Sequence, residues 1–228
     1  MIVALISEGM KNIMFRENVI KKPEAAEKIQ REVKDADFTM SCDNNNKKGV
    51  VSMLFSGERI RLRKMSSEDV SIYHKWRNDI EVMQFTNPSL DVFTYAETEK
   101  FVNSITESHN SKGYMIEEVK TDKPIGVTSL INIDYGNRNA ECIIDIGDKD
   151  YWSKGFGREA FKLLLDFSFN ELNLHKIYLR VFSFNERAIK LYQNLGFYEE
   201  GKLKEQLYRD GAWHDIIFMG VLKRNYKE

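Results

Sequence analysis

The segment that most constrains this chain is Tyr151-Trp-Ser-Lys-Gly-Phe-Gly-Arg-Glu-Ala160, a glycine loop between two strongly patterned runs. Before it, Ala140–Ile146 alternates apolar and polar residues as a strand does; after it comes a helical stripe from about Arg158 to Leu172. Phe161, Leu164, Leu165, Phe169 and Leu172 form that stripe, and Leu163 and Phe167 widen it. Such a helix has to be covered on most sides, which predicts that it lies on a sheet. The glycines permit a tight turn that leaves unpaired N–H groups at a helix N-terminus, an arrangement suited to a phosphate. An ordinary tight strand-to-helix connection would use the same glycines.

Gly155-x-Gly157-x-x-Ala160 matches the dinucleotide fingerprint in outline. That fingerprint also needs an acidic residue at the end of the next strand, and the corresponding run here is Leu179-Arg-Val-Phe-Ser183. No Gly-Lys-Ser/Thr closes the loop, so it is not a P-loop.

The rest of the pattern predicts a mixed α/β domain over residues 58–228. Arg59–Lys64 alternates as a strand, and Ser66 with Asp69 has capping-box spacing ahead of a helix over 67–82 that buries Ile72, Trp76 and Ile80. Thr94 with Glu97 opens a second helix to about 108, and Tyr114–Val119 and Ile125–Asn132 are strands. His175–Val181 is a strand, Asn185–Leu195 a helix stopped by Gly196, and Phe197–Tyr208 with Trp213–Leu222 a hairpin turned at Asp210-Gly211. Residues 1–57 read as an extension, with helix-like pieces at Glu8–Ile20 and Pro23–Asp35 and a polar loop over 42–49. It packs on the main domain or on a second copy, the latter making a homodimer; a dispensable tail is the other reading.

Composition removes several classes. Lys and Arg total 34 against 35 acidic residues, a balance that disfavours a nucleic-acid partner held by phosphate neutralisation. Cys42 and Cys142 are too few for a disulfide framework or a cysteine-based zinc site. His74, His109, His175 and His214 are scattered, so no metal is expected. With no basic leader and no membrane-length apolar run, the expectation is a soluble cytoplasmic protein.

A second motif is Asn185-Glu-Arg-Ala188-Ile-Lys-Leu-Tyr192-Gln-Asn-Leu-Gly196-Phe197, with Asn185, Ala188 and Tyr192 on one helical stripe. It begins at the carboxyl end of the strand that follows the glycine-loop helix, where α/β sheets place ligands. The two motifs in this order resemble those of the GCN5-related N-acetyltransferases (GNAT), and in particular the ribosomal-protein N-terminal and spermidine acetyltransferases. Trp76-Arg-Asn-Asp79 and Tyr208-Arg-Asp-Gly-Ala-Trp-His-Asp215 fit that group too, and the resemblance covers about 58–223.

The resemblance implies a splayed central sheet flanked by helices, with the pantetheine arm of acetyl-CoA lying in the splay against backbone groups of Asp145, Ile146 and Gly147. It places the pyrophosphate on the amides of Trp152, Ser153, Lys154, Gly155, Phe156, Gly157 and Arg158. Asn185 and Ala188 would hold the cofactor and the strand end, and Tyr192 would lie near the sulfur. The family's loop usually begins with Gln or Arg followed by Gly, where this chain has Trp152 and Ser153.

Amide formation then needs a base for the ammonium, a donor for the oxyanion and an acid for the thiolate. Tyr192 is the acid expected, Glu141 the base, directly or through water, and a backbone N–H near Ile146 the oxyanion donor. Glu141 and Asp145 share one strand face, opposite Cys142, Ile144 and Ile146, and could attract a cationic amine. The acceptor wall is expected from residues 80–95 and the hairpin tip at 203–213, with Glu81, Asp91 and Glu205 available to a polycation. A peptide α-amine, a polyamine, an amino-sugar and an aminoglycoside all remain open as acceptors. The alternatives are a non-catalytic acyl-CoA-binding or sensing module and, more distantly, a dinucleotide reductase.

Overall fold

A computed structural model of the chain describes residues 55–226. The helix-like pieces expected at Glu8–Ile20 and Pro23–Asp35, the loop over 42–49 and Cys42 lie outside these residues. Seven strands form one sheet in the order β1-β2-β3-β4-β5-β7-β6. They are β1 Ile60–Lys64, β2 Lys112–Glu118, β3 Pro124–Asp134, β4 Asn139–Asp145, β5 Lys176–Phe182, β6 Tyr198–Arg209 and β7 Ala212–Leu222. Every neighbouring pair is antiparallel except β4 and β5. That parallel pair requires a crossover, and the helix after the glycine loop provides it.

Helices cover both faces, as the resemblance implied, and the helix with the wide apolar stripe lies on the sheet. On one face lie α4 (Phe156–Asp166) and α5 (Glu186–Asn194). Phe161, Leu164 and Leu165 of α4 bury fully against Ile60, Ile116, Leu130 and Ile177 of the sheet. On the other face α1 (Val70–Arg77), α2 (Ile80–Met83) and α3 (Tyr95–Thr106) enclose a second core of Val70, Tyr73, Trp76, Met83, Val102 and Met115. Among the described residues no helix is long and apolar enough to cross a membrane.

Three local expectations change. The helix expected over 67–82 breaks at Asn78 and Asp79. Asp79 is extended and its side chain accepts from the Glu81 N–H at 3.0 Å, restarting a short helix. Asn78 turns its amide onto Phe93 instead, accepting from that residue's N–H at 2.8 Å and donating to its carbonyl at 3.1 Å. The break rotates Ile80 out of the stripe, leaving it 65% exposed while Trp76 is 8% exposed. The glycine-loop helix starts at Phe156, two residues early, and ends in a π-helical turn over Phe167–Glu171. Phe55, placed in the extension, packs its ring with centroids 4.6 Å from Phe167 and 5.0 Å from Tyr114, so the packed unit begins before residue 58.

The turn chemistry follows the sequence. Asp210 and Gly211 both take positive φ, 52° and 80°, as a two-residue hairpin turn between Arg209 and Ala212 requires. Gly196, at φ 91°, closes α5: its N–H reaches Gln193 O and that of Phe197 reaches Tyr192 O, each at 3.0 Å.

Candidate active site

The splay lies where β4 and β5 part. Their ladder covers Asn139–Glu141 against Lys176–Tyr178 and stops, although β4 continues to Asp145 and β5 to Phe182. The edges beyond Glu141 and Tyr178 are therefore free of strand pairing to one another. A cavity of about 820 Å³ opens there, bounded by β4, β5, the glycine loop, α5 and the segment after α2.

The glycine loop forms one end. Lys149–Tyr151 makes a single tight turn capped by Asp148, Ser153 and Gly155 take positive φ (60° and 85°), and Gly155 is the N-cap of α4. The first intrahelical bond runs from Glu159 N–H to Gly155 O at 3.2 Å, which leaves the amides of Phe156, Gly157 and Arg158 without a helical partner. Trp152, Ser153, Gly155, Gly157 and Arg158 line the cavity. Lys154 and Phe156 do not: the Lys154 carbonyl accepts from Arg59 at 2.9 Å, and the Phe156 ring is buried with that guanidinium 4.6 Å from its centre.

Trp152 has a local task. Its indole N–H donates to the Ile146 carbonyl at 2.7 Å, fastening the loop to the end of β4. That carbonyl is thus already engaged, which narrows the expected backbone contacts at Ile146. Gly147 lies outside the cavity lining, pressed against Trp76 so closely that a Cβ there would fall 2.1 Å from the indole. Only glycine fits.

Helix α5 brings up the second motif. The Asn185 side chain accepts from Ala188 N–H at 3.2 Å and its own N–H donates to Phe182 O at 2.9 Å, tying helix start to strand end. Asn185, Ala188 and Tyr192 all line the cavity, as do Arg187 and Lys190. The last two were not singled out in the sequence, although their place in the first turns of a helix starting at the splay was the available signal. With Arg158 they give this end three exposed cations. Tyr192 packs between Phe161 (5.4 Å) and Phe197 (5.9 Å), and burial pushes its phenol far above the usual tyrosine range. It is therefore protonated throughout the neutral range.

The carboxylates of β4 differ from each other. Glu141 is 5% exposed; one oxygen accepts from Arg180 Nε at 2.7 Å and the other from Asn132 Nδ2 at 3.1 Å. Asp145 also lines the cavity, but its Oδ1 is buried with no hydrogen-bond partner. Desolvation raises its carboxyl to about 6, with only the Thr86 hydroxyl opposing the shift. Cys142 is buried, donates weakly to Tyr178 O at 3.4 Å, and burial pushes its thiol well up, so it is an inert core thiol.

The far wall comes from Val82, Phe85, Thr86 and Pro88, within the stretch expected, with Phe184 and Ile216 opposite. The hairpin tip contributes no lining residue, and neither Glu81, Asp91 nor Glu205 reaches the cavity. Glu81 instead pairs with Lys149. The hairpin acts indirectly: buried Arg209 donates to the carbonyls of Gln84 (2.9 Å) and Asn87 (3.0 Å), holding the wall segment in place.

Residues 59–198 match the acetyltransferase (GNAT) domain family. The chain belongs to that family. It is 33% identical over 171 residues to an uncharacterized N-acetyltransferase, p20, of Bacillus licheniformis, covering 74% of this chain and 96% of that one. Over 170 residues it is 33% identical to the spermidine N(1)-acetyltransferase of Vibrio cholerae serotype O1, covering 74% and 95%. The crystal structure of a Vibrio cholerae spermidine N-acetyltransferase with CoA and spermine superposes with a TM-score of 0.69 at 32% identity, covering 75% of this chain and 99% of that one.

The protein is thus a GNAT acetyltransferase that uses acetyl-CoA to acetylate amines. The residues present fit that donor: two unpaired strand edges, a helix start with free amides and three cations surround one cavity.

Proposed function

We propose that this GNAT enzyme acetylates a primary amine of an aliphatic polyamine by direct attack, with both substrates bound at once. The observation that carries this reading is the continuity of the cavity, which joins the glycine loop to an aromatic wall with a carboxylate beside it. Among the described residues the cysteine, Cys142, is not placed to carry the acetyl group, because its thiol is buried and protonated. Direct transfer needs only proximity of the two reactants.

Acetyl-CoA supplies a thioester carbonyl open to attack. In the reading favoured here, backbone groups at Asp145 and Ile146 take the pantetheine arm along the open edge of β4. The amides of residues 152–158 take the pyrophosphate, aided by Arg158, Arg187 and Lys190. Asn185 keeps the strand end and helix start together. Tyr192, held protonated by its burial, gives a proton to the departing thiolate. The methylenes of a polyamine suit Phe85, Val82 and Phe184, and removal of the ammonium proton falls to a carboxylate of β4. Glu141 and Asp145 both stand there. Residues 58–228, together with Phe55, form the catalytic unit in this reading.

A screen of acetyl-CoA consumption with spermidine, N-terminal peptides, aminoglycosides and amino-sugars tests this. Spermidine turnover well above the other classes is the expected result. Preference for a peptide, or no turnover on any amine, overturns the acceptor assignment.

A further inference from the structure

Glu141 and Asp145 share a strand face but not a chemical state. Both oxygens of Glu141 are engaged, by Arg180 and by Asn132. Asp145 lines the same cavity with Oδ1 buried and unpartnered. A buried polar atom left without a partner is rare in folded proteins and costs free energy, so an unfilled acceptor on a cavity wall marks the place for a donor that a ligand brings.

Among the described residues no group of full positive charge acts on Asp145. The groups facing Asp145 are the Tyr73 phenol from α1, the Thr86 hydroxyl from the segment after α2 and the Tyr192 phenol from α5. Along β4 the nearest charge on its face is Glu141, whose own partner, Arg180, comes from β5. Burial is what holds the Tyr192 phenol protonated, and Asp145 is close enough for its charge to add to that effect. It thus stands at the junction of the acceptor wall and the residue assigned to the leaving thiolate.

We propose that Asp145, rather than Glu141, receives the ammonium group of the acceptor and takes its first proton. This rests on the amine acetyltransferase reading above and sharpens it. One N–H bond of the ammonium breaks, giving a neutral amine and a protonated Asp145. The amine nitrogen forms a bond to the acetyl carbonyl carbon, and the C–S bond breaks with its electron pair going to sulfur. Tyr192 protonates the sulfur and is restored by the second proton that the nitrogen sheds. Asp145 returns its proton to water, so an ammonium ion and a thioester become an amide, a thiol and one released proton. A carboxyl raised to about 6 suits this exchange, since it is ionised at neutral pH yet basic enough to accept. Glu141 becomes the residue that positions Arg180 and the strand ends.

The test is the pH dependence of kcat/KM for spermidine in the wild type, Asp145→Asn and Glu141→Gln, with acetyl-CoA affinity measured by calorimetry for each. The wild type should show a plateau above about pH 6, because the enzyme uses the abundant ammonium form. In Asp145→Asn the plateau should become a rise of about tenfold per pH unit towards the amine's own ionisation near pH 10. At pH 7 that variant should be about a hundredfold slower, with acetyl-CoA affinity within twofold of wild type. Glu141→Gln should lower the plateau and keep its shape. A plateau retained in Asp145→Asn overturns the proposal, as does loss of the plateau in Glu141→Gln alone.

A second measurement does not depend on the variants folding. The carboxyl carbon of Asp145, followed by carbon NMR in wild-type enzyme with CoA, should titrate near 6 and shift to lower pH when spermidine is added. An unchanged titration at saturating spermidine overturns the assignment. Absence of wild-type turnover on the whole amine panel is a different failure, and strikes the acetyltransferase reading itself.

Discussion

Strand β4 has two edges, and they are built to opposite ends. Against β3 it pairs from Asn139 to Asp145, and against β5 it pairs for three residues and then separates. Carboxylates follow the same division. Glu117, on the closed side of the sheet, is 4% exposed and holds Arg61 at 2.8 Å and Arg63 at 2.6 Å, one with each oxygen. Asp145, at the open edge, leaves Oδ1 unpartnered. The contrast teaches where this fold keeps its stability and where it leaves room for chemistry. A polar group saturated by its own chain supports the sheet, and one left open has a ligand to meet.

The largest effect should come from breaking the closed side. Glu117→Ala removes the shared partner of two arginines and should destabilise the fold by about 2–4 kcal/mol. Arg61 and Arg63 are 43% and 38% exposed, so both can turn to water, which keeps the loss below that of a fully buried pair. Denaturant unfolding checks it, and a change under 1 kcal/mol would mean that the network adds little. Acetyl-CoA affinity of the folded variant should be unchanged, since none of these residues reaches the cavity.

On the open side the chemistry should fail before the fold does. Tyr192→Phe keeps the ring between Phe161 and Phe197 and removes only the hydroxyl. Turnover should fall about a hundredfold, equivalent to roughly 2.7 kcal/mol, with little change in acetyl-CoA affinity. Comparison of kcat with calorimetric binding separates the two. An equal loss in both would make Tyr192 a packing residue.

The two edges were not equally legible in the sequence. The closed side follows from periodicity: alternation gave β1 to β4, and Thr94 with Glu97 gave the start of α3, where the expected capping box forms. The glycine loop and the Asn185 helix start were also legible, because Gly155 and Gly196 mark backbone that other residues adopt with strain. Tertiary effects were hidden. Helix α1 ends because Asn78 reaches fifteen residues ahead to Phe93, and no local pattern encodes that choice. Glu141 and Asp145 look alike on one strand face; the arrival of Arg180 from β5 and of Asn132 from β3 separates a paired carboxylate from an open one.

The same difference should appear in stability. Asp145 has a folded-state pKa of about 6, above the ordinary aspartate value of 3.8, so the folded protein binds this proton more tightly than the unfolded chain. Its contribution is fully present below about pH 4 and is lost as pH rises through 6. At pH 8 the ionised carboxylate should cost on the order of 3 kcal/mol. Asp145→Asn removes that titration and should melt about 8 °C higher at pH 8, an advantage that fades towards pH 4. Melting curves at pH 4, 6 and 8 measure it. A constant difference across that range would show that the carboxyl does not titrate with folding.

The smallest effect should fall where the two kinds of construction meet. Arg209, 7% exposed, spends its guanidinium on the backbone carbonyls of Gln84 and Asn87, so a residue of the closed hairpin shapes the wall of the open cavity. Arg209→Ala leaves the glycine loop, Tyr192 and both β4 carboxylates untouched but frees the segment carrying Phe85, Thr86 and Pro88. KM for the amine should rise roughly fivefold, about 1 kcal/mol, while kcat and acetyl-CoA affinity stay within twofold. Arg209→Lys should recover only part of this, because an ammonium is a single point where the guanidinium is a fork spanning two carbonyls. If kcat falls instead and KM holds, the wall matters to the aim of the attacking nitrogen rather than to capture of the amine. The closed and open parts of the molecule would then be coupled through the transition state as well as through binding.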